Sequence, residues 1–422
     1  MAENTDTLCA DMLRQQRDAL QQIMQHALLA VNGEQAVANW LRNHPVQGEV
    51  AVIAIGKAGS SMLAGARAVL DRQVVSALLI TKHHHASEQD RMDTLCEVIE
   101  AGHPVPDDNS LYAGQRLLAF IETIPATTTL LFLISGGTSA LVEVLPEGMS
   151  LQQLDQLNQL LLANAWPISE MNRIRRQYSC IKDGRLLHYL SGRKVINLLI
   201  SDVPGDNAAT IGSGLLIKSN DTSDVPEAVR SVIPLPALRF DQPTEVDVKT
   251  VIIASNAQAR QAAANAASTR GYTVMLHDDE LDCDVATATQ RIVRSLHEGP
   301  AGLHIWGGET MLVLPDNPGQ GGRNQHLALC VAQQIQGEEN VCVLVTGTDG
   351  TDGVTDHAGA LVDGDSIARV EAAGVAVDAM LTTANSSVAL QASGDLIETG
   401  PTGTNVMDLV LAVKFNPGNQ AA

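Results

Sequence analysis

Apolar runs that each stop at a glycine- or serine-bearing turn limit the folds open to this chain more than any other feature. Glu49–Ile55 stops at Gly56, Thr129–Ile134 at Ser135-Gly136-Gly137, Lys194–Ile200 at Ser201 and Val341–Thr346 at Gly347. Such runs lack the alternation of a half-exposed strand, so they read as strands buried on both faces, the habit of parallel sheets covered by helices. Helical spacing fills the intervals. Residues 8–43 read as one helix carrying Leu13, Leu20, Ile23, Leu28, Val31 and Val37, and Ser60–Leu70, the stretch ending at Ile121, and Leu151–Leu162 read as others. Val74–Thr81 and Leu95–Ala101 complete the early strands. The expected class is α/β.

The 422 residues exceed the usual 100–200 of one domain, so two domains are expected. Val225–Thr244 carries four prolines and little periodicity, which places the boundary there. A Rossmann-like three-layer domain is expected over residues 1–240 and a smaller α/β domain over 241–422. The second series starts with Thr250–Ala254, Thr273–His277, Gly302–Trp306, Met311–Leu314 and Val341–Thr346.

Charge and composition exclude several classes. The net charge of −21 repels nucleic acid and anionic membranes, so neither is expected as a partner. No apolar run approaches the ~18 residues of a membrane helix. The polar start, Met1 to Arg14, lacks the basic and apolar regions of a signal peptide, and a soluble cytoplasmic protein is expected. Cys9, Cys96, Cys180, Cys283, Cys330 and Cys342 form no CxxC pair and read as buried small hydrophobes. His83-His84-His85 reads as a solvated loop, because consecutive residues seldom converge on one ion. The leucines of 151–162 read as core packing.

In open α/β sheets chemistry sits at the carboxyl ends of the strands. Gly56-Lys57-Ala58-Gly59 leads from a strand into a helix and reads either as an anion cradle with a lysine charge or as a plain turn. It lacks the GxxxxGK[ST] spacing of a P-loop. Ser135, Gly136, Gly137, Thr138 and Ser139 make a second cradle, or an ordinary capped helix start. Arg173, Arg175, Arg176, Lys182 and Arg185 form a basic stretch beside Asn172, suited to carboxylate or phosphate contacts or to surface pairs. Asp202, Asp206 and Asn207 follow a strand end, and Asp349 and Asp352 sit on a glycine-broken loop after Gly347-Thr348. The acids at the strand end suit a hydrated Mg²⁺ with phosphate ligands, or a simple turn, and the glycine-broken loop lacks the EF-hand pattern. Glu309 follows Gly307-Gly308, and Arg323-Asn324 opens a helix after Gly319–Gly322. Thr399–Asn405, with Thr402 and Asn405, is dense in hydroxyls and glycines.

Together these segments resemble the glycerate 2-kinase family, also called the MOFRL or class II glycerate kinase family. The resemblance runs from near Val52 to Asp408. It is carried by IGKAG (55–59), GHPVPDDNS (102–110), SGGTSAL (135–141), NRIRRQYSCIKDGRL (172–186), SDVPGD (201–206), GGET (307–310), GGRNQ (321–325), GTDGTDGVTDHAGA (347–360) and TGPTGTNVMDL (399–409). The chain departs from the family pattern at Asp183, His326, Val354 and most of all Asn385–Leu390. The resemblance implies ATP-dependent, Mg²⁺-requiring phosphorylation of D-glycerate to 2-phospho-D-glycerate, and two α/β domains with the site in the cleft between them. It points to Lys57 and Arg323 as the essential basic pair. Lys57 would contact the γ-phosphoryl group, and Arg323 the transferring phosphate or the glycerate carboxylate. Asp202, Asp206, Asp349 and Asp352 would bind Mg²⁺ or accept the hydroxyl proton. A homodimer is the expected assembly.

Family members have often carried the name hydroxypyruvate reductase. Against that reading, no GxGxxG follows a strand with an acid about 20 residues on. A non-catalytic phosphosugar sensor is the third reading, and the presence of both Lys57 and Arg323 argues against it.

Overall fold

The computed structural model describes the backbone of residues 2–164, 166–221, 223–238, 240 and 246–415, and their side chains except those of 2–10, 168 and 169. The chain divides into two compact units, Gly33–Ala254 and Met1–Asn32 with Ser255–Ala422. The two-domain α/β expectation holds, with the division falling elsewhere than 240/241.

The first unit is a six-stranded, wholly parallel sheet in the order β3-β2-β1-β4-β5-β6. Its strands are β1 (Val50–Ile55), β2 (Val74–Lys82), β3 (Cys96–Ala101), β4 (Thr129–Ile134), β5 (Lys194–Ile200) and β6 (Asp247–Ala254). Every residue of β1 and β4 is buried, as runs without alternation demand. Strand β6 was expected to open the second series. It instead hydrogen-bonds along β5, with Lys194 paired to Asp247 and Ile200 to Ala254.

With α1 (Ala2–Ala30) preceding this unit, its helices are α2 (Gly33–Asn43), α3 (Gly59–Leu70), α4 (Glu88–Met92), α5 (Asp108–Thr123), α6 (Thr138–Leu141), α7 (Leu151–Ala163), α8 (Ile168–Arg176) and α9 (Glu227–Arg230). The single helix expected over 8–43 is therefore two, α1 and α2, broken between Ala30 and Gly33. Reciprocal capping bonds start α5 at Asp107 with Ser110 and α7 at Ser150 with Gln153; each such cap stabilises its helix by about 1 kcal/mol. Leu154, Leu157 and Leu161 of α7 bury against Ile174, Tyr178 and Val229, so this helix is core packing.

The second unit holds β7 (Val274–Leu276), β8 (Gly302–Gly308), β9 (Val341–Gly347), β10 (Gly359–Asp363), β11 (Leu396–Ile397) and β12 (Asp408–Lys414), in the order β11-β10-β9-β12-β8-β7. Its helices after α1 are α10 (Asn256–Thr269), α11 (Val285–Glu298), α12 (Arg323–Gln334), α13 (Ser366–Ala372), α14 (Val377–Thr382) and α15 (Ser386–Ser393). Only β7 and β8 are parallel; β12 runs antiparallel to both β8 and β9, and β10 antiparallel to β9 and β11. The parallel series expected here is thus corrected: buried strands without alternation fix burial on two faces, not direction. The strand expected at Met311–Leu314 reduces to one bridge between Met311 and Asp284, with Val313 largely exposed. Helix α1 belongs here because Leu20, Ile23, Met24 and Ala27 pack with Ala263, Ala267, Leu411 and Val413.

Of the cysteines, Cys342 is buried and Cys96, Cys180, Cys283 and Cys330 are half-buried free thiols; the side chain of Cys9 lies outside the described ones. Residues 239 and 241–245 of the proline-rich Val225–Thr244 stretch also lie outside the described residues. No described helix is long and apolar enough to cross a membrane.

Candidate functional site

In the first unit, β1 and β4 lie side by side from Val50 opposite Thr129 to Ile55 opposite Ile134. From β1 the chain moves outward through β2 and β3, then returns to start β4 on the other side. Strand order reverses there, and a crevice opens beyond the strand ends at such a point. Both glycine turns expected as cradles sit at it.

The turns are stitched together. Lys57 donates its backbone N–H to Gly136 O at 2.9 Å, Ala58 N–H donates to Ser135 Oγ at 3.1 Å, and Thr138 Oγ1 donates to Ser135 O at 2.7 Å. Gly56 has φ +126°, and a Cβ there would lie 2.2 Å from Ser135 Oγ, so only glycine lets the turns approach this closely. Gly137 has φ +89°, and a Cβ there would meet His103 Cδ2 at 3.1 Å and Lys57 Cγ at 3.3 Å. Lys57 and His103 therefore converge over the second turn. His103 was not among the expected site residues; its signal was the GHPVPDD segment directly after a strand.

Ser139 carries the arrangement away from the turn. Its Oγ lies 2.7 Å from Ser213 Oγ, and its carbonyl accepts from Lys182 Nζ at 2.8 Å. Lys182 is buried and paired with the buried Glu143 carboxylate. These residues line a cavity of about 480 Å³ together with Arg175. The other basic residues of this stretch are occupied: Arg173 with Glu170 and the Ser223 carbonyl, Arg176 with the Ala209 carbonyl, Arg185 with the Arg176 and Lys182 carbonyls. Among the described residues Arg175 has a 3.4 Å contact with Asn172, and its buried Nε has no partner. Burial pulls this guanidinium below its usual range. Asp202 and Asp206 follow β5 at the same sheet edge, and Asn207 is taken up by its own turn, accepting from Ala209 N–H at 3.0 Å. His83 of the expected solvated loop pairs with Asp107 at 2.8 Å.

In the second unit, Asp408 begins β12 opposite Gly308 of β8 and Gly347 of β9. That register brings the Gly308-Glu309, Gly347-Thr348 and Asp408 segments to one sheet edge. Arg323, the first residue of α12, reaches them. Its Nε donates to Asp408 Oδ2 at 2.7 Å and its Nη2 to Asp408 Oδ1 at 3.0 Å, and Nη1 lies 2.6 Å from Glu309 Oε1. Burial works against this cation, but the Asp408 carboxylate outweighs it and holds Arg323 charged well above its usual range. Asn324 Nδ2 donates to the same Asp408 at 3.0 Å. Asp408 was not among the expected site residues, because no strand was read at 408–414.

Asp352 closes the N-terminus of α12, accepting from Asn324 N–H at 3.2 Å and Gln325 N–H at 2.8 Å. Burial, supported by the Asp408 charge, raises its carboxyl to about 7 despite those bonds. Asp349 Oδ1 accepts from Thr351 N–H at 3.1 Å. Thr348 Oγ1 donates to Met407 O at 2.6 Å and accepts from Val406 N–H at 2.8 Å, and Thr402 Oγ1 donates to Thr348 O at 2.5 Å. These two hydroxyls tie the Thr399–Asn405 loop, with the buried Asn405, to the end of β9. The departure at Asn385 has a local purpose: its amide oxygen accepts from Gln320 N–H at 2.8 Å and steadies the glycine loop before Arg323. Among the described residues no group of three or more His, Cys, Asp and Glu is placed to hold a metal ion.

Comparison with known proteins gives two family matches. Residues 19–247 match a domain of unknown function (DUF4147), and residues 302–408 match the MOFRL family. The chain is 34% identical over 414 residues to the D-glycerate 2-kinase of Thermotoga maritima, covering 93% of this chain and 97% of that protein. It is 34% identical over 397 residues to the glycerate 2-kinase of Pyrococcus horikoshii, covering 87% and 88%. The crystal structure of a glycerate kinase from Thermotoga maritima superposes with a TM-score of 0.82 at 31% identity, over 95% of this chain and 100% of that one.

Proposed function

The chain belongs to the MOFRL/glycerate-kinase family, and on that premise we propose that it transfers the γ-phosphoryl group of ATP to the 2-hydroxyl of D-glycerate, giving 2-phospho-D-glycerate and ADP. The observation that carries the reading to this chain is the convergence of Lys57 on the Ser135–Gly137 turn where strand order reverses.

Phosphoryl transfer asks a protein mainly to position the reactants and to neutralise charge spread over the transferred group. Lys57 supplies a point charge beside a turn whose backbone geometry is fixed by Gly56, Ser135 and Gly137. Arg323 supplies a planar cation oriented by Asp408 and Glu309. In this reading Lys57 contacts the γ-phosphoryl group and Arg323 the transferring phosphate or the glycerate carboxylate. Ser135, Gly136, Gly137, Thr138 and Ser139 hold phosphate or glycerate oxygens, and His103 joins them.

Mg²⁺ usually binds through one or two carboxylates and the substrate's phosphates, not in a full protein cage. The donor set fits that mode. Asp202 and Asp206 follow the end of β5, a core strand, on the Lys57 edge of the parallel sheet. Asp202, with Asp206 beside it, would hold the ion, which when bound neutralises phosphate charge. We extend the reading to a cytoplasmic homodimer, checked by light scattering and cell fractionation.

The test is incubation of purified protein with D-glycerate, ATP and Mg²⁺, read by ³¹P NMR. A 2-phosphoglycerate signal growing with ADP is expected. A 3-phosphoglycerate signal would overturn the regiochemistry, and no phosphorylated product would overturn the kinase reading.

A further inference from the structure

Three consecutive residues, Gly212, Ser213 and Gly214, hold left-handed backbone at φ +58°, +60° and +66°. At the outer two, space as well as φ demands glycine. A Cβ at 212 would lie 3.0 Å from Ile134 Cγ2, and one at 214 would lie 2.5 Å from Ala209 O. Ser213 carries a side chain in a conformation that glycine would adopt without strain. Its neighbours hold it there: Asp183 N–H donates to Ser213 O at 3.1 Å, and Gly184 N–H to Gly214 O at 2.7 Å. Strain enforced in this way marks the side chain, not the backbone, as the reason for a serine.

The Ser213 hydroxyl reaches Ser139. The two Oγ atoms lie 2.7 Å apart, so one donates to the other. Ser213 is 7% exposed and Ser139 is half-buried, and both line the cavity of about 480 Å³. A buried O–H needs an acceptor inside the protein. That gives the donor role to Ser213 and leaves the Ser139 proton for the cavity. Accepting from Ser213 polarises the Ser139 O–H and strengthens it as a donor. The Ser139 carbonyl is meanwhile held by Lys182 Nζ at 2.8 Å, so backbone and side chain of this residue are both fixed.

Resting on the kinase reading above, we propose that Ser213 is a positioning residue for phosphoryl transfer. Its hydroxyl turns the Ser139 proton toward an anionic oxygen of the bound substrates, a carboxylate or a phosphate oxygen, and the strained backbone at 213 is the means of holding it there. Activity at this position therefore follows the hydroxyl, while stability follows the backbone.

The test compares full-length wild type, Ser213→Ala, Ser213→Gly, Ser139→Ala and the Ser139→Ala/Ser213→Ala double variant by steady-state kinetics and urea unfolding. Both Ser213 variants lack the hydroxyl, and each should lose at least about tenfold in kcat/KM, the two agreeing within about twofold. Ser213→Gly should nonetheless unfold at higher urea than Ser213→Ala, because only glycine is relaxed at φ +60°. Since Ser213 acts through Ser139, Ser213→Ala should cost less than about twofold more once Ser139→Ala is present. A rise confined to the KM for D-glycerate identifies the oxygen as a carboxylate's, and one confined to the KM for ATP as a phosphate's.

Ser213→Gly with wild-type kcat/KM overturns the proposal. So do losses that multiply in the double variant, and so does activity that tracks the unfolding midpoint across the Ala and Gly variants, as a merely structural role requires. Failure of the kinase reading looks different: the wild-type protein itself forms no phosphoglycerate. Calorimetric titration of D-glycerate and of ATP then decides, weaker binding in both Ser213 variants keeping the positioning role and unchanged or absent binding overturning it.

Discussion

At the edge of the parallel sheet the chain presents two backbone turns pressed together, with Lys57 over them. At the edge of the mixed sheet it presents a guanidinium clamped by Asp408 and Glu309 and underpinned by Asp352. The first arrangement depends on the absence of side chains, at Gly56 and Gly137. The second depends on the presence of several, each correct only if the others are. A turn of bare backbone is set by local conformation. A clamped cation is set by strand register, because Asp408 reaches Arg323 only from its place between Gly308 and Gly347.

Removing each cation is the strongest way to sharpen that contrast. Lys57→Ala and Arg323→Ala should each cut kcat/KM by at least about 10², since charge contacts to a transferring group are worth a few kcal/mol. They should differ in stability. Lys57→Ala should lower the denaturation midpoint less than Arg323→Ala, because the bond by which Lys57 ties the two turns is made by its backbone N–H, which the substitution keeps. Arg323→Ala leaves the buried Asp408 without its cation and should cost about 3–5 kcal/mol in urea unfolding. Equal midpoints would break the comparison.

Gly56→Ala tests the backbone edge by itself. Its Cβ would collide with Ser135 Oγ, and its φ disfavours any L side chain, so a loss of about 1–3 kcal/mol is expected with Lys57 untouched. A neutral result would mean the turns are looser than their contacts imply.

Asp352 tests the clamped edge through pH. Its folded-state carboxyl stands at about 7, above its unfolded value of 3.8, so the folded state holds the proton more tightly. That contribution is fully present below about 4 and is lost as pH rises through about 7. Asp352→Asn should flatten the fall in stability across this window, and denaturation at four or five pH values would read it.

The smallest effect is expected at Thr402. Its hydroxyl donates to the Thr348 carbonyl, so Thr402→Ala should cost about 1 kcal/mol of stability and change kcat/KM by less than about fivefold. A large kinetic loss would return this hydroxyl to the substrate.

The sequence was most readable where the candidate site lies at strand ends. Gly56, Lys57, Ser135–Ser139 and Asp202 each follow an apolar run whose end can be located from residue type alone. The reading weakened where pairing decides. Val, Ile and Leu report burial but not direction, so the antiparallel β12 escaped notice, and Asp408 with it. Strand β6 was seen as a strand but assigned to the wrong sheet, because its partner β5 lies before the proline-rich stretch. Asp352 was read as a candidate for Mg²⁺ or for the hydroxyl proton; its bonds to the start of α12 depend on a fold-back that spacing does not reveal.

Helix α1 precedes Gly33–Ala254 in the chain, yet its apolar face meets α10, β9 and β12, which all come after it. During synthesis that face must wait, uncovered, while the whole of Gly33–Ala254 emerges and can close on itself. The order of birth and the order of assembly are therefore inverted for one unit and aligned for the other. The parallel-sheet unit can mature at the ribosome, and the mixed-sheet unit only after β12 has emerged. Conditions that slow release or raise nascent-chain concentration should harm the second unit first, with α1 as the exposed adhesive segment.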